Sequence, residues 1–167
     1  MKRTSLVLLV ALVAILTLAG GIVPSVATTS AAAQVALTRL QQDAVGELEI
    51  VWNADTNTPS FVSGAIPVAA VSLQADTSPE AIALDFAQAY AGLFRLQQAD
   101  RELVVLASEQ DNLGMDHVTL QQVYAGIPVH NAVMRVHIHG QTIVAAANGV
   151  IPDLRQGFRK GLFALQS

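Results

Sequence analysis

HVTLQQVYAGIPVHNAVMRVHIHG, residues 117–140, decides the fold. Apolar and polar residues alternate on both sides of AGIPV (125–129), which is the period of a β-strand. The spacing predicts two long strands, 115–124 and 129–138, joined by a turn at AGIPV. All four histidines of the chain (His117, His130, His137 and His139) fall in this stretch. On the first strand Val118, Leu120, Gln122 and Tyr124 share the face suited to a core. His117, Thr119, Gln121 and Val123 share the face expected to meet solvent. Gln122 would then be a buried amide in need of partners, and the backbone of the AGIPV turn is the expected source. Gly126 supplies a backbone position that a side chain would obstruct, and Pro128 sets the chain direction. Gln122, Tyr124, Gly126 and Pro128 thus read as a structural corner.

Working outward, a strand is expected at 102–108 and a loop at EQDNLG (109–114). Downstream come a tight connection at His139-Gly140-Gln141, a last strand at 142–147, a turn at Asn148-Gly149 and a closing Pro152-Asp153. Upstream, Ser78-Pro79-Glu80 starts a helix. Ser78 can cap free N–H groups, Pro79 has no N–H to lose, and Glu80 suits the positive end of the dipole. Ile82, Phe86, Ala89, Tyr90 and Leu93 then form one apolar stripe, ending near Phe94. Before the helix, ELEIVW (47–52) alternates as a half-buried strand, NADTNTPS (53–60) is a turn cluster, 61–64 is a second short strand, and 65–73 runs extended. One main helix packed across a curled antiparallel sheet gives an α+β fold.

The front of the chain differs in kind. Lys2 and Arg3 precede an uncharged apolar run from Leu6 to Val23, and Ser25-Val26-Ala27 is a small-x-small cleavage pattern. This is the layout of a signal peptide over 1–27, with an uncleaved membrane anchor as the rival reading. Residues 28–45 are rich in Thr, Ser, Ala and Gln and read as a linker with at most a short helical turn. A domain over 46–154 and a C-terminal tail over 155–167, carrying Arg155, Arg159 and Lys160, complete the division.

The 167 residues hold nine Lys and Arg against thirteen Asp and Glu, net −4. Losing Lys2 and Arg3 with the leader leaves seven cations and a net charge of −6. An acidic chain has no electrostatic route to nucleic acid or to an anionic membrane face, so contact with a membrane is expected only through the leader. There is no cysteine, which excludes thiol chemistry and Cys-ligated metals.

Catalytic machinery is hard to assemble from what remains. None of the serines lies in G-x-S-x-G or S-x-x-K, and no HExxH or glycine-rich phosphate loop occurs. His130, His137 and His139 could gather a metal, but no carboxylate stands at a ligand spacing beside them. Asp111 and Asp116 flank the DNLGMD loop and lack the ligand count of a calcium site. No catalytic, cofactor-binding or metal-ligating residue is assigned, and no cofactor is expected.

The order of residues is nevertheless specific. Leu113-Gly114-Met115-Asp116-His117-Val118, Leu120, Gln121-Gln122, Tyr124 and Gly126-Ile127-Pro128-Val129, followed by Asn148-Gly149 and Pro152-Asp153-Leu154, resemble the fungalysin/thermolysin propeptide (FTP) domain. SPEAIALDFAQAYAGLFRL followed by DRELVVL is similar to the family's helix-then-strand. The resemblance covers roughly 46–154. It implies the N-terminal prodomain of a secreted, thermolysin-like zinc metallopeptidase, acting as inhibitor and intramolecular chaperone within a zymogen. The family motif here is His117, Gln122, Tyr124, Gly126, Ile127, Pro128, Val129, Asn148 and Gly149, in a structural sense. The implied partner is a thermolysin-like catalytic domain, in cis from a truncated precursor or in trans. This chain, without HExxH, would not be the enzyme, whereas a full-length precursor would be a metalloendopeptidase. The alternative is a stand-alone exported protein-binding module. Either would be secreted or in the cell envelope.

Overall fold

A computed structural model describes residues 30–72 and 78–155. The expected signal peptide, most of the expected tail and the start of the expected linker lie outside the described residues. Six strands form one antiparallel sheet: β1 (Val45–Asn53), β2 (Thr58–Pro67), β3 (Leu103–Gln110), β4 (Met115–Tyr124), β5 (Ile127–His139) and β6 (Thr142–Asn148). Their order across the sheet is β1-β2-β6-β5-β4-β3, so β1 and β3 are the edges. The α+β class stands.

The register fixes which residues share a face. Ser108, Val118, Val136, Ala146, Val62 and Ile50 lie opposite one another in one row across all six strands. Their neighbours Glu109, His117, His137, Ala145, Ser63 and Glu49 form the adjacent row. Successive strand residues point to opposite faces. The first row therefore builds the core and the second lies on the outer face. Val118, Val136, Ala146 and Val62 join a cluster with Phe86, Tyr90, Leu93 and Phe94.

Those aromatics come from α3 (Pro79–Ala89) and the single turn α4 (Ala91–Phe94). The expected cap is present: the Ser78 hydroxyl accepts the Ala81 N–H, and Pro79 opens the helix. The helix does not run unbroken to Phe94. Tyr90 leaves helical geometry, and Arg95 closes α4 in the left-handed region at φ 56°.

The linker expectation fails. Ala31–Asp43 is a thirteen-residue helix, α1, capped by Ser30, so the fold has two substantial helices. Ala33, Ala36 and Leu40 are its buried residues. Small side chains carried the stripe, so it read as low complexity. A β-carbon at Gly92 would meet the Ala32 carbonyl oxygen at 2.6 Å. The α1–α4 approach therefore requires glycine at position 92. Tyr90 Oη donates to Asp43 (2.9 Å), and Arg39 reaches the Ala70 and Ala89 carbonyls (3.1 and 3.4 Å). Burial, then the bond to Asp43, pushes the Tyr90 phenol above its ordinary value.

Other boundaries also move. β2 is a ten-residue strand that takes in the residues expected as a turn end and as a lead to the helix, and Val68–Val71 is a helical turn, α2. A further turn, α5 (Ala99–Glu102), precedes β3. Glu102 is buried there, accepting the N–H groups of Gln97 and Gln98 at 3.0 and 2.9 Å.

Candidate functional site

The turn at the signature corner is shorter than AGIPV. Only Ala125 and Gly126 turn, at φ 51° and 80°, while Tyr124 pairs with Ile127. Two central residues with positive φ match the twist of the flanking strands. Ile127, Pro128 and Val129 belong to β5. A β-carbon on Gly126 would meet nothing within 4 Å. Glycine serves here for its left-handed backbone, not for the close approach expected. Tyr124 is half-buried, not core, and lines a cleft of about 250 Å³ with Arg101, Glu102, Val123, Gly126 and Arg155. Arg155, expected in a solvated tail, donates to Gln98 Oε1 at 2.7 Å.

Gln122 is fully buried, as its face required. Its partner is not the turn. Its Nε2 donates to the Ile151 carbonyl at 3.0 Å, and its Oε1 accepts the Ile151 N–H at 2.8 Å. This two-way clamp ties the C-terminal return of the domain to the end of β4. Gln121 faces the other way. Its Nε2 lies 2.9, 2.8 and 3.0 Å from the carbonyls of Gln122, Val129 and Ala132. Between the Gln121–Val133 and Val123–Pro128 pairs the register shifts, so 129–132 on β5 bulge opposite Gln122, with Asn131 at φ 57°. Gln121 fills that bulge. Both glutamines of the QQ pair therefore hold backbone, one on each face. The sequence pattern marked only Gln122, because the bulge that engages Gln121 interrupts the alternation instead of following it.

The face expected to meet solvent is less open than predicted. Thr119 and Val123 are buried, while His117 and Gln121 are half-buried. Arg135 lies opposite Thr119 and its Nε donates to the Thr119 hydroxyl at 3.3 Å. The bulge carbonyls occupy Gln121.

Asn148 and Gly149 are not a free turn. Asn148 ends β6, donating to the Pro59 carbonyl (2.8 Å) and accepting the Val150 N–H (3.2 Å). The Gly149 N–H donates to the Val133 carbonyl at 2.8 Å, where an added β-carbon would press on the same oxygen at 3.3 Å. Asp153, at φ 52°, returns its N–H to the Arg95 carbonyl and pairs with the Arg95 guanidinium. Arg95 also donates to the Thr56 carbonyl. It follows the apolar stripe directly, in Leu93-Phe94-Arg95-Leu96, and no residue type flagged it in advance.

The structure does not gather His130, His137 and His139. His130 and His139 are exposed, the first in the β5 bulge and the second at the far end of the strand. His137 instead faces His117 across β4 and β5, with their Nδ1 atoms 2.6 Å apart and rings edge to face at 4.8 Å. His117 Nε2 lies 3.1 Å from Asp111 Oδ2. Asp111 also accepts the N–H groups of Leu113 and Met115, both at 2.9 Å. The Met115 bond first, and His117 next, hold its carboxyl below the usual range. Burial, then the charges of His117 and Arg135, keep the His137 imidazole below its ordinary value. Asp116 takes no part, accepting from Gln110 Nε2 at 3.1 Å. Among the described residues no three metal-ligating side chains cluster.

The four-strand segment from β3 to β6 is the part of the chain that a family model matches. Residues 101–150, from α5 through β6, match the family model described as the Fungalysin/Thermolysin Propeptide Motif. These residues are a fungalysin/thermolysin propeptide motif. Similar proteins include the thermolysins of Alicyclobacillus acidocaldarius subsp. acidocaldarius and of Bacillus caldolyticus. Each is 31% identical over 109 residues, covering 65% of this chain and 19% of theirs. The thermostable neutral protease NprT of Geobacillus stearothermophilus is 31% identical over 106 residues, 63% of this chain and 18% of its own. The chain spans about a fifth of the length of these curated relatives. No solved structure matches it. The match falls on a propeptide segment, not on a catalytic domain. Among the described residues no helix is long and apolar enough to cross a membrane.

Proposed function

We propose that this chain is an exported prodomain that inhibits a thermolysin-like zinc metallopeptidase and assists its folding, in cis or in trans. One observation carries the reading: a propeptide motif over 101–150 in a chain similar, over 109 residues, to thermolysins. A domain that binds only the native-like state of a slow-folding protease stabilises that state by mass action and holds it inactive while bound. The basic, apolar front of the chain supports export. The test is direct. The purified chain is mixed with the separately produced catalytic domain of the thermolysin-like peptidase encoded with it or nearest to it. Peptide hydrolysis should fall with saturable dose, and refolding of the denatured catalytic domain should rise in yield. Unchanged hydrolysis together with unchanged refolding would end the proposal.

A second reading has its own observation. The edge strand β3 exposes Val104, Val105 and Leu106 at 46%, 39% and 60%, a surface suited to strand addition by a protein partner. It favours a protein-binding module without a peptidase. Binding of non-peptidase proteins that is lost on Val105→Lys, with no effect on any peptidase, would select it.

A further inference from the structure

We infer that His117 and His137 form a binding site for one divalent transition-metal ion of the zinc type. The site goes beyond the prodomain reading and does not depend on it. The two residues are a directly opposed cross-strand pair on the outer face, and both Nδ1 atoms converge, 2.6 Å apart. Asp111 Oδ2 takes the far nitrogen of His117 at 3.1 Å. A carboxylate on one imidazole nitrogen places the proton there and leaves a lone pair on the other. This is the usual orientation of a metal-bound histidine. Asp111 is itself anchored by the Leu113 and Met115 N–H groups, so His117 is aimed by the β3–β4 loop.

Metal–imidazole bonds of about 2.0–2.1 Å in tetrahedral geometry put two nitrogens about 3.3 Å apart. The rings need to part by only about 0.7 Å, within reach of small χ rotations. The His117 side chain is 29% exposed, so water can complete the shell. The surrounding charges partly offset one another. Arg135, two residues from His137, opposes a cation, while Glu109 stands beside His117 in the same cross-strand row. Two imidazoles and water suit a borderline ion such as Zn²⁺ over Mg²⁺ or Ca²⁺, which prefer oxygen. With two protein ligands the ion would exchange readily.

The test is Zn²⁺ titration of the full chain made without affinity-tag histidines, followed by calorimetry and by imidazole NMR. One equivalent should bind, with the His117 and His137 ring signals moving together and those of His130 and His139 unmoved. Mg²⁺ should give neither effect. His117→Ala and His137→Ala should each lower the affinity at least about tenfold, with circular dichroism unchanged. Asp111→Asn, which removes the orienting charge, should cost between about ten- and a hundredfold. His139→Ala should bind as the parent does. The proposal is overturned by no saturable Zn²⁺ binding, by binding that survives the double His117→Ala/His137→Ala change, or by NMR shifts centred on His130 or His139. The NMR readout on the unaltered chain decides the matter even where a substituted chain does not fold.

Discussion

The two faces of β4 are built from neighbouring residues and are held in different ways. Inward, Val118 and Leu120 join the core beneath α3, and Gln122 is a fully buried amide clamped to Ile151. Outward, His117, Thr119 and Gln121 form a polar ladder with Asp111, Arg135 and the bulge carbonyls, its contacts only partly buried. The inner face is strong because water is excluded, and a lost contact has no substitute. The outer face is adaptable because solvent can replace what is removed. Adjacent glutamines of one dipeptide thus take up opposite physical regimes.

The largest break in that contrast is expected from Leu120→Ala. Leu120 is fully buried, and its truncation should cost about 3 kcal/mol in urea unfolding, through lost burial and the cavity left behind. A pair of identical changes sharpens the comparison. Gln122→Leu keeps the volume and strands both Ile151 backbone groups, and it should cost about 2 kcal/mol. Gln121→Leu removes three contacts against two at Gln122, but Gln121 is only half-buried, so the expected loss is about 1 kcal/mol. Equal costs at the two positions would show that the faces do not differ as described. Ser78→Ala, which uncaps α3 beneath the inner face, should cost about 1 kcal/mol.

The smallest effect concerns pH. Glu80, in the first turn of α3, is held below its ordinary value of 4.5 by hydrogen bonds with Ser108 first and Ser78 next. A carboxylate with a lowered folded value adds stability above its unfolded value and loses it as the pH falls through the folded value. Below about 4.5 the parent should therefore lose stability more steeply than Glu80→Gln, compared by thermal unfolding from pH 6 to pH 3. Glu80 stays partly open to water, so the difference should be small and should shrink in high salt.

Some of this molecule was readable from residue order. The alternation of 115–124 set strand β4 with both ends correct, and Ser78-Pro79 set the start of α3, because period and capping are local properties. Gln122 declared itself as buried by its place on an apolar face. The propeptide resemblance came from residue identity at fixed intervals. The contacts with those residues did not follow. Ile151, which clamps Gln122, is twenty-nine positions away, and the bulge that occupies Gln121 breaks the period instead of repeating it. Helix α1 was hidden because two of its three buried residues, Ala33 and Ala36, are small and leave Leu40 alone to mark an apolar stripe. His117 was grouped with its strand and His137 with His139, whereas the register set His117 against His137.

By itself the amino-acid sequence determined the α+β class, the long hairpin of β4 and β5, the start of α3 and the resemblance to a propeptide motif. Each rests on periodicity or on residue type within a few positions. Only the tertiary structure decided the second helix, the partners of Gln121 and Gln122, the left-handed Arg95 that locks Asp153, and the meeting of two histidines with Asp111. Those contacts depend on strand order, register and a bulge, which follow from how the whole sheet packs and not from any local run of residues.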